Sequence, residues 1–168
     1  MQKNKKIIIS LIAGMALLFG IAWVSGSFSS GEDDASLGGA EVSGALILEE
    51  RSYDFGAISM AAGKVTHEFI IKNNGTEPVE ISKIYTSCMC TEASLKIGDV
   101  VRGPFGMPGH VALPRVQEML GAGEGAMLAV TFDPAAHGPA GVGRIERVVS
   151  VENSGATLEF NISATVTP

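Results

Sequence analysis

The residues of this chain best suited to chemistry are Cys88 and Cys90, its two cysteines, with Met89 between them. Met107 and His110 follow in the Gly/Pro-rich run Gly103-Pro104-Phe105-Gly106-Met107-Pro108-Gly109-His110. His137 comes later, in Asp133-Pro134-Ala135-Ala136-His137-Gly138-Pro139. Thiolates, thioethers and imidazoles are the donors Cu(I) prefers, and Cys/His sets also suit Zn(II). Cys88, Cys90, His110, His137 and Met107 are therefore the candidate metal ligands. Two cysteines with one or two histidines complete three or four ligands, and Met89 or Met107 supplies a soft axial donor.

The spacing of the cysteines restricts what else they do. On a strand, residues i and i+2 share a face but stand about 6.6 Å apart at ~3.3 Å per residue. A disulfide needs Cβ atoms about 3.5–4.5 Å apart, so a Cys88–Cys90 bridge requires a tight bend and yields a labile bond. Two free thiols are unusual in an exported protein, which leaves burial, a strained disulfide and a bound metal as three ways to protect them. Each candidate also has a plainer reading. Buried Cys behaves as a small hydrophobe, Met107 beside Phe105 covers an end of the fold, and His110 and His137 are ordinary loop histidines. His67, on an alternating strand, reads as solvent-facing. A thiol–disulfide enzyme is disfavoured, because Cys-x-Cys here lacks the helix N-terminus that activates a nucleophilic thiol.

The elements that must position these residues are strands. Ala45–Leu48, Tyr53–Ile58, Val65–Lys72, Val79–Tyr85, Met127–Phe132, Arg147–Val151 and Leu158–Val166 each carry apolar residues at a period of two. Asn73-Asn74-Gly75 is a strong turn signal, and 21 glycines suit many turns between short strands. About seven strands of this kind predict an all-β, immunoglobulin-like antiparallel β-sandwich. The stretch from Gly98 to Gly125 breaks the rhythm and reads as a long loop, with Pro114–Leu120 as a short strand or turn. Loops of a sandwich gather at its two ends, so the Cys, Met107/His110 and His137 segments are able to meet at one of them.

The N-terminal part has a different character. Residues 1–6 form a basic stub, and Ile7–Val24 contains no charge. As a helix this run spans roughly 27 Å, close to the ~30 Å hydrocarbon core of a bilayer. The lysines mark a cytoplasmic side and Trp23 an outer interface. Residues 7–25 are thus read as a single transmembrane anchor, with a cleaved signal peptide and secretion as the alternative. Residues 26–43 are small, polar and acidic, a tether, and 44–168 form the domain. Without Lys3, Lys5 and Lys6 the chain has nine Lys/Arg against eighteen Asp/Glu, which argues against nucleic acid as a partner.

The order of features resembles a known family. Tyr53-Asp54-Phe55-Gly56, Phe69–Gly75 with Pro78-Val79-Glu80-Ile81, Thr86-Ser87-Cys88-Met89-Cys90-Thr91, Gly123-Glu124 and Val130–Pro134 are similar to the bacterial immunoglobulin-like domains called domain of unknown function 1573. These are relatives of the Hydin-like and PapD-like sandwiches. The resemblance covers residues 45 to 167. Members more often carry Gly where Met89 stands, and the Gly98–Gly125 connection is longer here. The resemblance implies a fold and no established activity. No phosphate-binding glycine loop opens a helix, and no serine sits in a nucleophile elbow. The expected function is a non-catalytic binding module presented outside the membrane of a bacterial envelope, where sheet edges engage another envelope protein. The alternative is an extracytoplasmic Cu(I) or Zn(II) domain.

Overall fold

The computed structural model describes residues 42–43, 45–110 and 115–168. The anchor assigned to residues 7–25 and the tether assigned to 26–43 lie outside the described residues, except that Val42–Ser43 of the tether form a short strand. Among the described residues no helix is long and apolar enough to cross a membrane.

Eleven strands form two facing sheets: β1 (Val42–Ser43), β2 (Leu46–Leu48), β3 (Ser52–Ser59), β4 (Val65–Asn73), β5 (Val79–Thr86), β6 (Thr91–Ile97), β7 (Val100–Phe105), β8 (Glu118–Leu120), β9 (Gly125–Phe132), β10 (Gly143–Asn153) and β11 (Ala156–Thr167). One sheet runs β1-β2-β4-β9-β6-β7 and the other β3-β11-β10-β5-β8. The period-two pattern explains both. In β11 the inward residues Leu158, Phe160, Ile162, Ala164 and Val166 are buried, and in β9 so are Ala126, Leu128, Val130 and Phe132. Phe69 of β4 meets Phe160 of β11 across the sheets, ring centroids 5.0 Å apart. Each such ring contributes on the order of 1.5–3 kcal/mol through burial alone.

Three expectations need correction. The sandwich is not wholly antiparallel, because β3 pairs β11 in parallel, Tyr53 opposite Ile162. The expected seven strands become eleven among the described residues, with β1 and β6 added and with β7 and β8 inside the supposed loop from Gly98 to Gly125. β7 was hidden because its residues Val100–Pro104 are exposed, leaving no alternation to read. Finally, His67 does not face solvent. Its ring stacks on Tyr53 at 3.6 Å between centroids and it hydrogen-bonds Glu50.

The turn after β4 is held by a buried polar side chain. Asn73 Nδ2 donates to the carbonyls of Glu77 at 2.8 Å and Leu120 at 3.0 Å, while Oδ1 accepts from Gly75 N at 3.0 Å. Asn73 is fully buried, so an unmet group there carries its whole desolvation cost. Asn73→Asp removes both donors and buries a charge. It is expected to cost about 2–4 kcal/mol in denaturant unfolding, whereas Asn74→Asp on the exposed side of the turn stays within about 0.5 kcal/mol of wild type.

Candidate metal centre

The candidate site stands where the chain twice crosses between the sheets. The β5–β6 connection, Ser87–Cys90, leaves one sheet for the other, and the β9–β10 connection, Asp133–Val142, does the reverse. Both crossings lie at one end. Asp133 N donates to Cys90 O at 2.9 Å, and Ser87 N to Val148 O at 2.9 Å.

The cysteines are not on a strand but in a tight turn, closed by Thr91 N donating to Cys88 O at 3.1 Å. The buried Thr86 hydroxyl lies 3.0 Å from Cys88 O and 3.0 Å from Thr91 O, so its single proton is shared between the two carbonyls at the ends of the turn. This bend replaces strand spacing with contact: Cys90 Sγ is 2.7 Å from Cys88 Sγ. Both thiols are free, with Cys90 buried and Cys88 half-exposed.

His137 is delivered by the other crossing. Asp133 Oδ1 accepts from Ala135 N at 2.9 Å, and Ala136 N and Gly138 N close successive turns on Asp133 O and Ala135 O. His137 then opens a one-turn 3-10 helix, Gly138–Gly141. A Cβ on Gly141 would stand 3.1 Å from the Cβ of His137, so glycine leaves the histidine its place. His137 Nε2 lies 3.2 Å from Cys88 Sγ. The donor atoms of Cys88, Cys90 and His137 all fall within 4.8 Å of one another.

Of the five candidate ligands, the structure thus gathers Cys88, Cys90 and His137. His110 is exposed in a turn closed by its own N–H donating to Met107 O at 3.2 Å, and it is not in this donor cluster. Met107 is half-buried next to Gly106, whose carbonyl accepts from Thr86 N at 3.1 Å. Met89, between the two cysteines in the turn, is 52% exposed.

Arg147 is the residue that sequence reasoning missed. Its Nε donates to Cys90 Sγ at 3.2 Å. The run Arg144–Arg147 reads as surface charge pairing, which holds for Arg144 with Asp54 and Glu146. The overlooked signal is the strand period: Ile145, Arg147, Val149 and Val151 share the inward face, and the other three are buried. An arginine in that series needs an anionic or polarisable partner, and the sulfur is it.

These contacts set the thiols apart. Partial burial pushes the Cys88 thiol up. Hydrogen bonds from the Cys90 thiol and backbone N–H, the His137 contact and the Arg147 charge outweigh that and bring it down from 9.0 to about 7. Burial pushes the Cys90 thiol up and the Cys88 sulfur adds to it, against the opposing pull of Arg147 and Thr91.

The comparisons with known proteins bear on the fold. Residues 46–103 match the family model described as "Protein of unknown function (DUF1573)"; that stretch includes the cysteine turn but ends before His137 and Arg147. No curated protein matches the chain. A protein of unknown function from Porphyromonas gingivalis W83 is similar in structure at 14% identity and a TM-score of 0.52, over 71% of this chain and 46% of that one. The chain therefore spans less than half the length of that relative. The ASH/PapD-like domain 7 of human CEP192 aligns at 14% identity and a TM-score of 0.45, over 84% of this chain and 96% of that one. At such identities the Porphyromonas likeness shows a shared sandwich, and the chemistry must be argued from the site.

The thiol assignment has a direct consequence. Alkylation of the reduced protein should report Cys88, with a rate midpoint near pH 7. In Cys90→Ala, which removes the thiol donor, the midpoint should rise toward the ordinary thiol value of about 8.5; an unchanged midpoint would contradict the assignment.

Proposed function

We propose that this chain is a non-catalytic, extracytoplasmic immunoglobulin-like module whose working end binds one thiophilic ion, Cu(I), on Cys88, Cys90 and His137. The observation that carries this reading is the convergence of two thiols and one imidazole within 4.8 Å at the inter-sheet crossings. Thiolate and imidazole are a soft to borderline set, and their number matches a three-coordinate Cu(I) site. Structural Zn(II) sites are closed by four protein ligands, and neither His110 nor any Asp or Glu joins this cluster among the described residues. A Cys88 thiol at about 7 gives up its proton to a metal at neutral pH with little cost.

Two metal–sulfur bonds of about 2.3 Å hold sulfurs nearly 4 Å apart, so loading sets the spacing of the sulfur pair. Half-exposed Cys88 and exposed His137 are the ligands with room to move, while Cys90 stays fixed by Arg147 and the core.

The rest of the chain supplies the setting for this function. The uncharged run Ile7–Val24, with lysines before it and an acidic tether after it, suits a single-pass anchor that holds the domain on the outer side of a bacterial membrane. The partner is taken to be another envelope protein, the donor or acceptor of the ion. A second reading, a dithiol–disulfide couple, is favoured by the closeness of the sulfurs and the low Cys88 value; oxidation of the pair would abolish the metal site.

Anaerobic titration of the reduced protein with Cu(I), against a chromophoric Cu(I) chelator, should show uptake of one equivalent. Cys88→Ser should weaken it by roughly a hundredfold and His137→Ala by roughly tenfold, since each removes one of three ligands. His137 is exposed on a loop, so its variant retains the fold. No uptake by the reduced wild type would overturn the reading, and so would uptake that neither variant changes.

A further inference from the structure

We infer that Arg147 is a selectivity residue, a fixed positive charge that makes the Cys88–Cys90–His137 site favour a monovalent ion over a divalent one. The inference rests on the soft-metal reading above and adds the discrimination between Cu(I) and Zn(II), two ions that a Cys/His set accepts on ligand chemistry alone.

The case is one of charge and place. Arg147 Nε is 3.2 Å from Cys90 Sγ, a sulfur on a residue only 2% exposed. The guanidinium is held there by its backbone on the inward face of β10 and by a second hydrogen bond, Nη1 to Glu146 O at 2.7 Å. Swinging it out into the groove beside His137 would cost both of these hydrogen bonds. Two thiolates carry two negative charges and Arg147 one positive. Cu(I) completes a neutral assembly, whereas Zn(II) leaves one net positive charge in a half-buried corner.

The other ionic groups near this end are set apart from Arg147 by their partners and by distance from a direct sulfur contact. Lys64 and Glu92, which flank the cleft beside Cys90, pair with each other at 3.6 Å. Asp133, in the same cleft, accepts from Ala135 N and keeps its negative charge, but the charge that acts on both sulfurs is that of Arg147. Arg144, which lines the groove of about 350 Å³ beside His137 and Arg147, is occupied by Asp54 and Glu146. Among the described residues, Arg147 is the cationic side chain with a hydrogen bond to a sulfur.

Position and charge together distinguish this role from simple packing. An arginine that only filled space would affect both ions alike. An arginine acting through its charge penalises the second positive charge of Zn(II) more than the single one of Cu(I). A unit charge hydrogen-bonded to one ligand sulfur of a partly solvated site is worth on the order of tenfold in relative affinity.

The test is a competition of Cu(I) and Zn(II), each alone and then together, for the reduced full-length protein under anaerobic conditions. Arg147→Gln should lower the Cu(I)-to-Zn(II) affinity ratio by about tenfold. Arg147→Lys, which restores the charge, should hold the ratio within about threefold of wild type. Lys72→Gln, which removes an exposed cation from β4 at the end opposite the cysteine turn, should leave it unchanged. Should Arg147→Gln fail to fold, Ala140→Glu brings a compensating carboxylate to the exposed side of the Arg147 groove and should shift the ratio in the same direction. A ratio that stays the same in Arg147→Gln, or in Ala140→Glu where that variant is the readable one, overturns the inference while leaving the metal site standing. Failure of wild-type protein to bind either ion overturns the reading beneath it.

Discussion

Thr86 is a small residue with a large part in this structure. Its hydroxyl lies at hydrogen-bond distance from both carbonyls that bracket the cysteine turn, at the point where the chain passes from one sheet to the other. Without that bend the two cysteines would continue a strand and their sulfurs would stand apart by the ordinary pleat spacing. With it, they touch. The polar crossing is tolerable in a buried corner because its backbone groups are met: Thr91 N by Cys88 O, Thr86 N by Gly106 O and Asp133 N by Cys90 O. The same bonds tie the second crossing, and with it His137, to the first. Sheet geometry thus supplies the neighbourhood, and a handful of turn hydrogen bonds supplies the site.

What could be read from the amino-acid order follows from where burial leaves a trace. Strands β4, β9, β10 and β11 have one face in the core, so their apolar residues alternate and the elements are visible. Edge strands carry less of that imprint. β7 is exposed along nearly its whole length and is absorbed into a supposed loop, whereas β8 falls within the Pro114–Leu120 stretch that reads as a short strand or turn. The parallel pairing of β3 with β11 left no local signal either, since parallel and antiparallel partners impose the same alternation on a strand.

The site was legible in its donors and not in its geometry. Cys88, Cys90 and His137 announce themselves by chemistry, but residue type alone does not separate His137, which arrives, from His110, which does not. That difference comes from the wound Asp133–Val142 crossing, whose Asx turn and 3-10 helix fix the histidine's place. Arg147 shows the converse. It has no ligand chemistry of its own, and only its inward register among Ile145, Val149 and Val151 marks it as a residue with a buried partner. A charged residue on the apolar phase of a strand is informative because an unpaired charge there is costly.

These parts make one proposal: a sandwich end that offers a buried thiol, a half-exposed thiol and a surface imidazole to a single soft ion, with a guanidinium setting its charge. X-ray absorption at the copper edge of the anaerobically loaded protein addresses this most directly, because it counts donor atoms without reference to affinity. The account predicts a three-coordinate Cu(I) centre with two sulfur scatterers and one imidazole nitrogen. A shell without sulfur, or a copper–copper vector from a multinuclear thiolate cluster, would contradict it.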